Sequence, residues 1–514
     1  MNAALREAVA DLPGLVAAHV LLSGCAVLIG ILAGLPLALW AAGSGRVRAP
    51  LLGFVGLIQT IPALALLALF YPMLLVLGRA TGLGIPALGF LPALIALSLY
   101  ALLPIVRNGI AALHGLDPNV IEAADGVGMT RWQRLRLVEL PLGAPVILAG
   151  IRTATVWTIG AATLATTVGQ PSLGNLIFSG LQTENWLRVL VGCAAAAALA
   201  LVADGLLALI ETGVARRSAW RLRLGAGLLA GFLLAALWPS LGASPADRTI
   251  VVGAKNFSEQ YILASAIETR LAAAGYRTER RDDLGSAVAY RALAAGDIDV
   301  YVDYSGTLWT NVLARRDNPR APVMQRELAA ALARRDGVRV LGALGFENAY
   351  ALAMRRARAA ELGIKSIDDL ARSAPRLSLA SDIEFLSRPE WRSVAAAYRL
   401  RFAEQRSYNP TFMYRAIADG SADVMSAFSS DGRIAALDLV TLADPRGALP
   451  SYDAIILLSP RAAKDGKMAA ALTPLIGAIP IDRMRQANLM VDRDADKRTP
   501  AEAARWLVAG IERR

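Results

Sequence analysis

The sequence predicts an α-helical membrane half of six spans, followed by an α/β half of two lobes. Three observations carry that prediction. Of the 514 residues, 55% are hydrophobic and only 18% are charged, with a mean hydropathy of +0.45, which is too apolar for an ordinary soluble enzyme. The apolar residues gather into long charge-free runs up to about residue 243, and charge becomes frequent from about Asp247 onward. Beyond that point short β-rich runs alternate with amphipathic helical segments, the pattern of an α/β fold with mostly parallel sheets. The expected domains are 1–243 and 248–514.

Leu15 to Ala42, Leu51 to Leu77 and Ile85 to Val106 contain no Asp, Glu, Lys or Arg. Each is long enough to cross a hydrocarbon core of roughly 30 Å as a helix. A fourth span is expected from about Leu142 to Val168, a fifth from Trp186 to Ile210 and a sixth from Leu224 to about Leu241. Backbone polarity forces these segments into helices, since open strands do not survive in lipid. Arg46 and Arg48, then Arg107 with Arg131, Arg134 and Arg136, then Arg216, Arg217, Arg221 and Arg223 fall in alternate connections. The positive-inside rule puts those connections in the cytoplasm. The N-terminus and the second half then lie outside, giving a multi-pass protein of the inner membrane.

Two features of the spans need separate readings. Asp204 lies in the fifth span, where an unpaired charge is costly; a local pair near the cytoplasmic end is expected, and a place along a translocation path is the alternative. The sixth run, followed by LGASPA (241–246), also has the form of a secretory signal with a small-residue cleavage site. Five preceding spans favour a tether for an exported domain.

Composition excludes several functions. Cys25 and Cys193 both sit in apolar runs, so neither a disulfide framework nor a metal site is expected. The only histidines, His19 and His114, fall in the membrane half. The outer half therefore offers no histidine-based triad and no zinc site, and no enzyme activity and no cofactor are expected. The formal charge of +11 is spread beside membrane segments or among acids, without the aromatic-interleaved basic stripe of a nucleic-acid binder.

In the second half, Thr249 to Val252 reads as a strand and Glu259 to Ala274 as a helix. Ile298 to Val302 and Ala422 to Phe428 read as strands that follow helices. About 265 residues suffice for two such lobes.

The connection before the fourth span, about 115–141, holds Glu122, Ala123 and Ala124, then Gly128, then Leu140 and Pro141. It resembles the coupling motif of ABC importer permeases: EAA, three residues, G, nine residues, I, x, L, P. Only Val138 departs, standing where Ile is usual. Small side chains permit close helix approach, Gly128 allows a sharp turn between two short helices, and Pro141 would start the next span where no N–H is needed. The resemblance implies a separate ATPase subunit, a second permease copy (a homodimer is the simplest arrangement) and a surround of membrane lipid. No GxxxxGK[ST] phosphate loop occurs on the chain, and none of its five lysines sits in that frame.

The second half resembles the substrate-binding proteins of osmoprotectant importers, which take up glycine betaine, carnitine, choline and similar compounds. The residues that carry it, in order, are GAKNFSEQ (253–260), YVDYSGT (301–307), GFENAYALAM (345–354), EFLSR (384–388), FSSDGRI (428–434) and SYDAI (451–455). A quaternary ammonium has no N–H to donate, so the faces of aromatic rings recognise it, at about 0.5–2 kcal/mol per ring. By the resemblance the cage is Tyr304, Tyr350, Tyr408 and Tyr452, with Phe428 where the family usually has another Tyr. It further implies that Lys255, Thr307 and Arg388 hold a ligand carboxylate, with Gln260 as an auxiliary polar contact. For Arg388 the competing expectation is a surface ion pair with Glu384 or Glu390. Lobe closure would supply specificity, and a linker of fewer than about ten residues would keep the domain near the translocation mouth. Two alternatives remain open: the same architecture carrying ergothioneine, a betaine with a thioimidazole ring, and a ligand-gated receptor or channel.

Overall fold

The computed structural model describes residues 3–82, 85–183, 185–241, 249–315, 317–408, 410–493 and 495–511. The LGASPA segment falls almost wholly outside the described residues. The chain divides into two compact units, one holding Leu5–Phe178 and Leu187–Ser244, the other Met1–Ala4, Ser179–Trp186 and Pro245–Arg514.

The first unit is all helix. Five described helices are long and apolar enough to cross a membrane: Leu5–Ala42, Phe90–His114, Arg131–Val168, Trp186–Ala215 and Ala219–Trp238. The run expected as a second straight span is instead two helices, Gly45–Thr60 and Ala63–Gly78, bent by 98°; counted together they make the sixth span. The cause lies in the sequence. Pro62 offers no N–H to continue the helix, and the residue before a proline is driven out of the helical region, as Ile61 is with ψ at 124°.

Small residues set the packing of this unit, which is how membrane helices approach closely. A Cβ on Gly150 would come within 2.5 Å of Asn108 Cβ, and one on Gly109 within 2.7 Å of Ala38 Cβ. Phe90–His114 is thereby wedged between its neighbours and contributes the most buried side chains. Asp204 does pair locally: Arg152, from the span before it, donates to both its oxygens at 2.7 and 3.0 Å and to Glu211 at 2.9 Å. Buried His19 is engaged in packing, with Nε2 3.0 Å from the Ile159 carbonyl and Nδ1 accepting from the Leu173 N–H.

The connection with the EAA pattern forms two short helices. Pro118–Gly126 is capped by Asp117, and a second helix begins at Arg131 under a Thr130–Gln133 capping box. Gly128 lies between them with φ +78°, a conformation that favours glycine. Arg134 clamps the turn, donating to Asp125 and Glu139 at 2.7 and 2.6 Å. Pro141 stands in the first turn of the helix Leu140–Ala162, as expected, and that helix is continuous with the one from Arg131 through a wide π turn, Leu135–Glu139.

The second unit holds ten described strands: β1 (Thr249–Lys255), β2 (Arg277–Leu284), β3 (Val300–Tyr304), β4 (Arg339–Glu347), β5 (Tyr350–Arg355), β6 (Ser378–Asp382), β7 (Glu404–Tyr408), β8 (Val424–Phe428), β9 (Leu439–Thr441) and β10 (Asp453–Leu458). They form two five-stranded sheets, β2-β1-β3-β10-β4 and β7-β6-β8-β5-β9. The sheets are not mostly parallel, as expected from sequence. β1 with β2 and β3, and β6 with β7 and β8, run parallel; β10 with β3 and β4, and β5 with β8 and β9, run antiparallel. The reason is that the chain changes sheets twice. It passes from β4 to β5 and returns from β9 to β10, so the strands at each crossing enter the new sheet from the other end.

Candidate functional site

A cavity of about 300 Å³ lies at the strand ends of the second unit. Its walls come from both sheets, because the last residues of β1, β3, β6, β7 and β8 all point into it. Ligands of open α/β sheets sit at such carboxyl ends.

Eight of the nine residues expected from sequence line this one cavity: Lys255, Tyr304, Thr307, Tyr350, Arg388, Tyr408, Phe428 and Tyr452. Gln260 stands one layer behind. Its Nε2 donates to the Tyr304 hydroxyl at 3.0 Å, and its Oε1 accepts from the Lys255 N–H.

The rings form a connected cluster. Tyr350 is central, with its centroid 4.9 Å from Phe428 and 5.5 Å from Tyr452, the latter edge-on. Phe257 lies parallel to Phe428 at 6.3 Å and stacks on Tyr304 at 6.2 Å. Gly306 lets Tyr452 approach, since a Cβ there would come within 2.9 Å of its ring.

The two expected cations already face carboxylates. The Lys255 ammonium is ion-paired with buried Asp303 and lies 5.2 Å from the Tyr304 centroid. Arg388 donates from Nε and Nη2 to Glu390 Oε1 at 3.2 and 3.1 Å, and from Nη2 to Thr307 Oγ1 at 3.4 Å. Its guanidinium sits 5.2 Å from the Tyr350 centroid. The Arg388–Glu390 pair is buried, not on the surface as one expectation had it; the Glu384 side chain lies outside the described residues. Burial pushes the Glu390 carboxyl up, but the Arg388 charge and bonds from Arg388 and Tyr452 outweigh it and hold the group below its ordinary range.

Several lining residues escaped the sequence reading. Phe257, Glu259, Asn348, Asp431 and Arg433 line the cavity, and each lies inside a quoted motif, so the motif was the available signal. Asn488 and Asp492 also line it. They stand four apart on the helix Ile481–Asp492 and so share a face, but nothing in the local sequence ties that helix to the site. Asp492 is raised to about 6, chiefly by burial, against the opposing pull of Arg433.

Glu259 is buried and accepts hydrogen bonds on both carboxyl oxygens. Oε1 accepts from the Tyr304 hydroxyl at 2.6 Å and Asn348 Nδ2 at 3.0 Å; Oε2 accepts from Ser430 Oγ at 2.5 Å and Asn488 Nδ2 at 2.9 Å. Burial nonetheless pushes this carboxyl above its ordinary value.

Comparison with known proteins finds two family matches. Residues 248–509 match the substrate binding domain of ABC-type glycine betaine transport systems. Residues 27–216 match the inner membrane component of binding-protein-dependent transport systems. The ergothioneine transport permease/ergothioneine binding protein of Helicobacter pylori is 30% identical over 453 residues, 85% of this chain and 78% of that protein. The glycine betaine/carnitine/choline transport system permease protein of Bacillus subtilis is 38% identical over 196 residues, 38% of this chain and 85% of that protein. A crystal structure of a glycine betaine/carnitine/choline ABC transporter covers 51% of this chain and 97% of its own, at 22% identity and TM-score 0.45. Both family matches describe components of transport systems.

Proposed function

The chain belongs to the fused permease and substrate-binding proteins of osmoprotectant ABC importers, and on that premise we propose that its cargo is a quaternary-ammonium compound such as glycine betaine, carnitine or choline. The observation that carries the reading is the ring cluster. Tyr304, Tyr350, Phe428 and Tyr452 line one cavity together with Phe257, and ring faces are what a trimethylammonium group binds. The paired cations Lys255 and Arg388 would share themselves with a ligand carboxylate by charge-assisted bonds.

Delivery in this reading runs from the outer domain through two copies of the membrane half, set in the inner membrane. A separate ATPase subunit would drive it from the cytoplasmic side. Val127 and Trp132, 74% and 66% exposed beside Gly128, supply apolar surface at the connection that would dock there.

A second reading has its own support. The Helicobacter pylori relative, with 85% of this chain aligned, is named for ergothioneine, which carries the same trimethylammonium and carboxylate groups. Titration of the full chain in lipid nanodiscs with glycine betaine, choline, carnitine and ergothioneine tests both. Saturable binding of one, abolished by Tyr350→Ala, supports the cage and names the cargo. Binding of none would end the quaternary-ammonium reading.

A further inference from the structure

Three cations line the cavity, and each faces a carboxylate: Lys255 with Asp303, Arg388 with Glu390 and Arg433 with Asp431. Glu259 differs. It is 3% exposed, and among the described residues its partners are a phenol, a serine hydroxyl and two amides, all neutral.

The orientation of those partners suits an ionised carboxyl. Asn348 and Asn488 both turn their amide nitrogens to Glu259, and this leaves both Oδ1 atoms buried with no hydrogen-bond partner. A protonated acid would donate to one of them. Four donors and two stranded carbonyls surround Glu259 as they would an acceptor on all sides, the environment of a carboxylate. Such a group is hydrogen-bonded yet keeps its charge uncompensated inside a low-dielectric cavity, where charge acts over longer range than in water. The field of that charge reaches the cage directly, because the Tyr304 hydroxyl donates to it from the ring that lines the cavity.

Resting on the quaternary-ammonium reading, we propose that Glu259 is the fixed counter-charge of the cage: it selects a cationic head over an uncharged group of the same shape. The rings alone distinguish shape and supply dispersion to either. Glu259 adds a preference that only a charged head obeys, and its hydrogen bond to Tyr304 draws electron density toward the cage ring.

The test uses pairs of equal shape. Choline is compared with its carbon isostere 3,3-dimethylbutan-1-ol, and glycine betaine with 3,3-dimethylbutanoate, by titration of the full chain in nanodiscs; the charged member of each pair is the one with the cationic head, and both members of the second pair carry the same carboxylate. Glu259→Gln is the informative variant. Its Oε1 still accepts from Tyr304 and Asn348, and its new NH2 can be met by the stranded Oδ1 of Asn488 after a flip of that amide. The expected result is a loss of about tenfold in affinity for the charged member, the order of one unit charge acting across several ångströms at an effective dielectric of about 20. The uncharged 3,3-dimethylbutan-1-ol should change by less than about twofold on the same grounds, and the preference for glycine betaine over 3,3-dimethylbutanoate should fall by about tenfold, since the carboxylate is common to both. Glu259→Asp, which keeps the charge and shortens the arm, should retain the preference for the charged member even where both affinities fall. Equal losses for both members in Glu259→Gln, or an unchanged ratio, would reduce Glu259 to a structural bond hub and overturn the proposal while leaving the cage intact. If the unsubstituted chain binds no charged member, the quaternary-ammonium reading itself fails.

Discussion

Arg388 and Glu390 are two residues apart, and their side chains form an ion pair only 5% and 1% exposed, with Nη2 3.1 Å from Oε1. The same oxygen accepts from Tyr452 at 2.5 Å and from Thr310 at 3.1 Å. One carboxylate therefore anchors a cage ring and the cation beside it.

Removing that anchor leaves Arg388 buried with its charge unmet. Breaking a buried pair costs about 3–5 kcal/mol, so Glu390→Ala should lower the unfolding temperature of the second unit clearly, and Tyr452 should lose its fixed position. Thermal unfolding of the full chain, with and without ligand, checks both effects.

Two acids of the site predict opposite pH responses. Glu390 is held below its ordinary 4.5, so its contribution is complete above that pH and is lost as pH falls through the lower folded value. Asp492 is raised from 3.8 to about 6. Its contribution is complete below 3.8 and is lost as pH rises through about 6. Unfolding temperature measured from pH 3 to 8 should therefore lose its acid-side fall in Glu390→Gln and its decline toward pH 6 in Asp492→Asn.

Gly306 is where the backbone passes under a cage ring. A Cβ would meet the Ser451 carbonyl at 2.7 Å and Tyr452 Cε1 and Cζ at 2.9 Å. Gly306→Ala should cost about 1–3 kcal/mol of stability through overpacking and weaken ligand binding by displacing Tyr452. Melting and titration of the same variant read the two effects.

Arg134 holds the turn between the two short helices of the EAA connection together through Asp125 and Glu139. Arg134→Gln should reduce uptake by about fivefold or more, the scale of a lost coupling between sites, while ligand affinity stays unchanged. Uptake and titration on the same preparation separate transport from binding.

Much of this architecture is legible in the sequence, and the exceptions have physical causes. Spans are readable because a charge-free run has few alternatives in lipid. The 98° bend at Ile61–Pro62 is not evident from hydropathy, since both arms are equally apolar; only Pro62 marks it. Arg152, the partner of Asp204, sits in the neighbouring span and was readable as a second intramembrane charge. Strand directions are not legible, because they depend on where the chain changes sheets, which no local pattern records. At the cavity the ordered motifs bring out Tyr304, Tyr350, Phe428 and Tyr452, while Tyr408 lies outside them. They also hold Phe257 and Glu259, which only packing distinguishes from ordinary core and surface positions. Asn488 reaches the site from a helix more than 200 residues from Glu259, a contact that tertiary folding alone creates.

The most direct test of the account is uptake of a radiolabelled trimethylammonium compound by cells in which the gene for this chain is deleted and then restored. The restored chain should recover saturable, energy-dependent uptake of glycine betaine, choline, carnitine or ergothioneine, and Tyr350→Ala should not. Equal uptake of all four compounds in deleted and restored cells would contradict it.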